Sequence, residues 1–225
     1  MAARLAGRRL ALVAWARQRA AWVLEDDYDG ELRHHGVPLP LLAAVGPDVV
    51  VHLGTASKIL TPTLGVGWMA APGKVVDAVC GYRSDAGVRP SSAGQRVLTA
   101  LAVSGELSRH LRRVRRELLA RRDLLVAALC ASGLPVRGDQ AGAHLVVELP
   151  SAYAERSAVH RARSAGMLLD GLVRYHDGPA ARHGVTLGYG GLANRLVLAA
   201  VLPELTAVLA AGPGSPVYRE YGLPP

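Results

Sequence analysis

One lysine in a short polar turn is the first candidate for covalent chemistry in this chain. Lys58 closes the sequence GTASK, which follows the apolar run 49–53. A lysine held in a partly desolvated pocket can lose its proton, form an imine with an aldehyde cofactor and later move protons. Most loop lysines are simply solvated, so Lys58 needs support from other residues.

Acidic and phenolic side chains supply that support. The apolar run 22–24 stops at Glu25, Asp26 and Asp27, and Tyr28 comes next. A carboxylate beside a pyridine nitrogen keeps that nitrogen protonated, and a tyrosine hydroxyl can bond a phenolate oxygen on the same ring. The carboxylates could equally cap a helix, bind a metal or lie in a solvated turn, although no further carboxylate or histidine spacing completes a metal site.

Both polar groups stand where an apolar run ends. Residues 5–20 have helical periodicity, the runs 22–24 and 49–53 are typical of buried strands, and residues 65–71 form a third candidate strand. Helices alternating with buried strands predict an α/β layer structure. Ligands bind beyond the carboxyl ends of the strands in such sheets, so the site is expected there.

The rest of the chain changes character between residues 105 and 133. Further helices are predicted over 74–81, 91–104, about 105–131, 157–165 and 193–211, and further strands over 142–150 and 185–189. The helix ending near residue 131 has an apolar stripe that includes Leu107, Leu111, Val114 and Leu118. Its arginines fill the opposite face, which favours a solvated or partner-facing surface over a DNA-reading one. A second, smaller α+β unit is predicted.

Composition narrows the class of protein. The chain has 225 residues, 50% of them hydrophobic, and a net charge of +8. This length can bury a sizeable core. Cys80 and Cys130 have no spacing typical of a zinc site or a disulfide scaffold. The Arg-rich start is neither a secretory signal nor a membrane span, so a cytoplasmic location is predicted.

The ordered motifs closely resemble the aminotransferase-like domain of MocR-type regulators. These members of the GntR superfamily join an N-terminal winged-helix DNA-binding domain to a fold-type-I aminotransferase domain. The matching segments are VLEDDYDGELRHHGVPLPLL, VVVHLGTASKILTPTLGVGWMAAP, SGELSRHLRRVRRELLARRDLLVAAL, AGAHLVVELP and HGVTLGYGGL. They span nearly the whole chain, and an ordered set is far more specific than any one motif.

The resemblance implies an α/β fold of the fold-type-I, pyridoxal-phosphate-dependent aminotransferases. Residues 1–105 would form the C-terminal part of the cofactor-binding large domain, with a mainly parallel sheet and helices. Residues 106–212 would form a long linking helix and a smaller C-terminal α+β domain, followed by a Gly/Pro-rich tail over 213–225.

The resemblance also assigns roles at the site. It implies that pyridoxal 5'-phosphate is bound as a Schiff base of Lys58, the catalytic residue. Asp26 would face the pyridine nitrogen and Tyr28 the ring oxygen, while Ser57 would help hold the phosphate with Thr55 in the same turn. A homodimer with an amino-acid or amine ligand is implied, and transaminase activity is the corresponding reaction.

The sequence departs from the family at three places. Gly65 stands where family members have an arginine that clamps the phosphate, a contact worth about 1.5–3 kcal/mol. Thr186 stands where an arginine receives the substrate carboxylate. The winged helix and the early half of the large domain are missing, so an N-terminal truncation is expected and DNA contact would need the absent domain. Transamination, effector sensing without turnover and an inactive fragment all remain open.

Two histidines and one tryptophan are secondary candidates. His52 and His144 could act in acid–base chemistry, but each lies in an apolar strand, which favours a structural role. Trp68 could pack near the Lys58 turn or belong to the core.

Overall fold

The first half of the chain begins with alternating helices and strands and ends with three successive α-helices. The computed structural model describes residues 2–33, 40–138, 142–191 and 194–211. The predicted tail over 213–225 lies outside these ranges. The elements of the first half are α1 (Ala2–Gln18), β1 (Val23–Asp27), α2 (Leu42–Val45), β2 (Val50–Thr55), β3 (Gly67–Ala70), α3 (Gly73–Asp85), α4 (Ser92–Val103) and α5 (Glu106–Ala131).

The first sheet has three strands in the order β1-β2-β3. β1 and β2 are parallel, with Glu25 opposite His52 and Asp27 opposite Gly54. β3 runs antiparallel to β2, with Trp68 opposite Gly54. The parallel pair is the part of this sheet that brings two carboxyl ends to one edge, which is the geometry expected for the site.

Helix α1 packs against one face of this sheet through a narrow strip. Val13 and Ala16 are fully buried and share a cluster with Val50. Leu10, Leu12 and Trp15 are exposed, so only part of the apolar periodicity of this helix is buried against the sheet. The α-helical period explains the difference, because the buried pair is spaced three apart and the exposed residues point elsewhere.

The second half contains a separate antiparallel sheet. Its elements after α5 are β4 (Val136–Arg137), β5 (His144–Leu149), α6 (Ala152–Ser164), β6 (Asp170–Gly171), β7 (His183–Gly188) and α7 (Arg195–Ala210). The strand order is β4-β5-β7-β6. α6 begins earlier than predicted because the Ser151 hydroxyl accepts a hydrogen bond from the amide of Ala154 and caps the first turn.

Buried charged side chains fix the second sheet to its helices. Glu155 of α6 is 1% exposed and accepts hydrogen bonds from the amides of Val173 and Gly184, each at 2.9 Å. Arg161 of the same helix donates to the carbonyl oxygen of Val208 at 2.8 Å, in the last turn of α7. Helical periodicity alone predicts solvated charges here, so neither contact was expected.

The chain divides into two compact units, residues 1–114 and 115–225. The boundary falls inside α5. The predicted boundary lies at residue 105, just before this helix begins.

Candidate functional site

The predicted site residues of the first unit lie at one edge of the first sheet. Asp26 is paired with Leu53 near the carboxyl end of β1, and Tyr28 follows that strand. Thr55 is the last residue of β2, and the Ser57–Lys58 turn follows directly. Because β1 and β2 are parallel, both sets of polar residues leave the sheet at its carboxyl edge.

Backbone hydrogen bonds hold the Lys58 turn. The amide of Leu60 donates to the carbonyl of Ala56 at 2.9 Å, and the amide of Ala56 donates to the carbonyl of Val66 at 2.9 Å. The amide of Ser57 donates to the hydroxyl oxygen of Thr55 at 3.1 Å. The Lys58 side chain is exposed. The turn therefore fixes the backbone of Lys58 and leaves its amine accessible to a ligand.

Tyr28 is held in its protonated form. Its side chain is 44% exposed. The negative charge of Asp29, then partial burial and the charge of Asp26, raise the pKa of Tyr28 above its ordinary value. The phenol keeps its proton at neutral pH and can donate a hydrogen bond.

Glu25 and His52 belong to the opposite face of the same strands. His52 is 4% exposed, and its Nδ1 lies 3.2 Å from a carboxylate oxygen of Glu25. The carboxylate also accepts from Arg9 and from the amide of Leu42. Successive residues of a strand point to opposite faces, so this network lies on the face of the sheet opposite the side chain of Asp26. His52 has the structural role that the sequence analysis favoured.

The net effect of this network on Glu25 is to stabilise its charged form. Burial by itself would raise the pKa of Glu25. The Leu42 amide, His52 and Arg9 outweigh burial and lower the pKa below its ordinary value. Glu25 therefore stays ionised and holds α1 and α2 to the sheet.

His144 and Thr186 both lie in the second unit. His144 is exposed on β5, in contrast to buried His52, so the two histidines do not share an environment. Thr186 is half-buried on β7, where it is paired with Val146 and Asp170.

Gly65 borders a cavity of about 930 Å³ that is lined by small, aromatic and basic residues. Its backbone is left-handed, with φ of 61°, and caps a short 3-10 turn. Trp68 lies so close to Gly54 that an added Cβ there would be 2.2 Å from the indole ring. Trp68 thus packs against Gly54, the residue that precedes Thr55 and the Lys58 turn. Arg83 and Arg89 also line this cavity.

The chemistry of these side chains suits the pyridine ring of a pyridoxal cofactor. An accessible amine, a carboxylate, a protonated phenol and two hydroxyls emerge from one sheet edge at Lys58, Asp26, Tyr28, Thr55 and Ser57. Each group matches a need of the cofactor: imine formation, pyridine protonation, ring-oxygen binding and phosphate binding. Gly65 supplies no cation for the phosphate.

The long helix α5 differs from the prediction at one arginine. Arg112, Arg113 and Arg116 are exposed, as expected for a solvated face. Arg121 is buried, and it donates to the carbonyl oxygens of Tyr189 and Gly190. Its guanidinium therefore serves internal packing, and the prediction that the arginines all lie on the solvated face is wrong there.

The described residues provide neither a metal-binding cluster nor a membrane-spanning helix. No group of three or more His, Cys, Asp or Glu side chains there is placed to hold a metal ion. Across the same ranges, every helix is too short or too polar to cross a membrane.

Comparison with known proteins places the chain in a family. Residues 11–176 match the family model for aminotransferase class I and II. The pyridoxine biosynthesis regulator PdxR of Corynebacterium glutamicum is 33% identical over 92% of this chain and 45% of its own length. The probable rhizopine catabolism regulatory protein MocR of Rhizobium meliloti is 32% identical over 82% of this chain and 38% of its own. The chain thus spans less than half the length of these relatives.

Solved structures share the fold. Kynurenine aminotransferase of Pyrococcus horikoshii superimposes with a TM-score of 0.80 at 24% identity, over 90% of this chain and 51% of that one. LysN, the α-aminoadipate aminotransferase of Thermus thermophilus in complex with N-(5'-phosphopyridoxyl)-L-leucine, has a TM-score of 0.80 at 22% identity, over 89% and 53%. The chain belongs to the aminotransferase class I and II family, and its relatives include regulators of the MocR type.

Proposed function

We propose that this chain binds pyridoxal 5'-phosphate covalently through Lys58, as the aminotransferase-like domain of a MocR-type regulator. The observation that carries the proposal is the parallel register of β1 and β2, which sends Asp26 and the Lys58 turn out of the same sheet edge. When bound, the cofactor supplies an electron sink for bonds at the α-carbon of an amine.

The side chains at this edge have distinct tasks. Lys58 provides the amine that holds the cofactor and afterwards carries a proton. Asp26 keeps the pyridine nitrogen protonated, and the phenolic hydroxyl of Tyr28 donates to the ring oxygen. Thr55 and Ser57 contribute hydroxyls to the phosphate.

The two lysines of the sequence allow a sharp test. Lys58 and Lys74 are the only lysines present, and both side chains are exposed. Purified protein is mixed with pyridoxal phosphate, reduced with borohydride and digested for peptide mass analysis. Wild type and Lys74→Ala should be labelled at Lys58, whereas Lys58→Ala should lose the specific label and the visible absorption band. Equal labelling of both lysines, or no label at all, would overturn the proposal.

Effector sensing without turnover is the second candidate function. It is favoured by two relatives, the transcriptional regulator PdxR and the probable regulatory protein MocR. Gly65 and Thr186 also lack the positive charges that would hold cofactor phosphate and substrate carboxylate. The labelled protein should be incubated with amino acids and a 2-oxo acid. A spectral response with no transfer of the amino group to the 2-oxo acid supports sensing. Transfer of many amino groups per protein molecule supports catalysis.

Homodimerisation is part of the proposal. The first unit exposes an apolar cavity of about 570 Å³ lined by residues such as Trp22, Leu24, Met69 and Tyr82. Burial of this surface would stabilise an assembly, because apolar contact area drives association. Light scattering with size-exclusion chromatography measures the mass, and a strictly monomeric protein would contradict this part.

A further inference from the structure

A histidine from α5 contacts the turn that carries Lys58. Nε2 of His110 lies 2.7 Å from the carbonyl oxygen of Ile59, which is 51 positions away along the chain. Ile59 directly follows Lys58, and its side chain is buried. A carbonyl in such a place loses much of its contact with water, so its protein partner matters to the stability of the turn.

The tautomer of His110 follows from its second contact. Nη2 of Arg113 lies 3.1 Å from Nδ1 of His110. An arginine can only donate, so Nδ1 must accept and carry no proton. The remaining hydrogen is on Nε2, which donates it to Ile59. Arg113 and Ile59 therefore specify the same neutral tautomer, and they orient the ring.

The contact from His110 complements the bonds made within the turn itself. The Leu60–Ala56 and Ser57–Thr55 bonds fix the backbone on either side of Lys58. His110 adds a bond from a different element and fixes the peptide on the carboxyl side of Lys58. The position of the Lys58 backbone is thus set while its amine stays accessible.

We propose that His110 is a positioning residue for Lys58, acting through the Ile59 carbonyl to hold the lysine where it captures the cofactor. The part that concerns the cofactor rests on the proposed function. The part that concerns the turn is independent of it.

The wild-type protein provides the first test. Long-range proton–nitrogen correlation spectra distinguish a histidine protonated on Nε2 from one protonated on Nδ1. His110, assigned by its absence in His110→Gln, should carry the proton on Nε2 at neutral pH. The opposite tautomer would overturn the proposal without any need for a destabilised variant.

Three variants provide the second test. His110→Ala removes the donor, and His110→Gln restores an amide N–H near the former Nε2. Arg112→Ala, on the exposed face two positions away, is the matched control. Hydrogen exchange of the Leu60 amide should quicken about five- to tenfold in the alanine variant, as for the loss of one hydrogen bond, and return towards wild type in the glutamine variant. The amide of Val185 in β7 serves as an internal reference.

Cofactor trapping then separates the two proposals. If wild type is labelled at Lys58, His110→Ala should be labelled about tenfold more slowly, with His110→Gln within a fewfold of wild type and Arg112→Ala unchanged. Equal rates for wild type and His110→Ala would overturn the positioning role. If wild type is not labelled, the proposed function fails, and the exchange of Leu60 alone decides whether His110 holds the turn.

Discussion

Glu25 and His52 face each other across the parallel pair β1 and β2, with a carboxylate oxygen 3.2 Å from Nδ1 of the imidazole. The pair lies on the face of the sheet opposite Asp26, and Arg9 and the Leu42 amide complete it. Its energetic role is therefore distinct from the chemistry at the sheet edge, and it can be probed by pH.

Glu25→Gln should destabilise the first unit at pH 7 by about 2 kcal/mol, because charge-assisted hydrogen bonds to the carboxylate are lost. The pKa of Glu25 is lowered in the folded state, so its contribution is present above the pKa of the unfolded chain. That contribution disappears as the pH falls through the folded pKa.

Urea unfolding at pH 7 and near pH 4 measures this effect. Wild type should lose more stability on acidification than Glu25→Gln. Glu106→Gln, an exposed carboxylate beside Arg109, is the control and should behave like wild type. Identical pH dependence in wild type and Glu25→Gln would show that the network does not stabilise the carboxylate.

Gly65→Arg should strengthen cofactor binding and weaken the fold. The guanidinium would regain a phosphate contact worth about 1.5–3 kcal/mol, roughly ten- to a hundredfold in affinity. The left-handed backbone at residue 65 should cost about 1–2 kcal/mol for any side chain with a Cβ. Gly65→Ala separates the effects, since it should lose stability without gaining affinity. Titration and thermal unfolding of both variants test this, and equal affinities would argue against a phosphate near residue 65.

Ala20→Gly should stabilise the end of α1. Ala20 has a left-handed backbone with φ of 49°, and the Ala21 amide donates back to the carbonyl of Ala16 at 3.0 Å. This geometry is that of a Schellman cap, which favours glycine. Glycine relieves the backbone strain but costs more conformational entropy on folding. The free energy of unfolding should therefore rise by about 0.5–1 kcal/mol. Ala14→Gly, at an exposed position inside the helix, should instead lose about 1 kcal/mol.

Glu155→Gln should destabilise the second unit by about 2 kcal/mol. The carboxylate accepts from the amides of Val173 and Gly184, and a side-chain amide can match only one of these donors with its single oxygen. Glu204→Gln, an exposed change on α7, should be neutral within about 0.5 kcal/mol. Equal losses from both variants in urea unfolding would indicate a general effect of charge rather than the two buried contacts.

Sequence patterns predicted the elements of this fold well where apolar periodicity was strong. The strand that contains His144 and the long basic helix were predicted close to their observed bounds. β1 continues to Asp27, whereas the apolar run predicted a strand only over residues 22–24. The two-residue strands β4 and β6 were missed because two residues carry no periodicity. The buried charges of Arg121, Glu155 and Arg161 were also missed, since their partners are backbone groups distant in sequence and any charged residue looks solvated in a helical pattern.

The candidate site was predicted from residue order and resemblance, and its placement follows from strand direction. The parallel pairing of β1 and β2 explains why Tyr28 and Lys58 leave the sheet together. No local pattern could have pointed to His110, because the contact with Ile59 spans 51 positions. In the sequence, His110 stands out only as the one histidine among the arginines of the SRHLRR segment.

The packing of Trp68 against Gly54 also places an intrinsic fluorophore in the cavity beside the candidate site. The indole ring is 41% exposed and lines the cavity of about 930 Å³. A molecule that enters the cavity replaces water around the indole, so the fluorescence emission shifts to shorter wavelength. Comparison with Trp68→Phe isolates this signal from Trp15 and Trp22, and allows occupancy of the cavity to be followed without a coloured ligand.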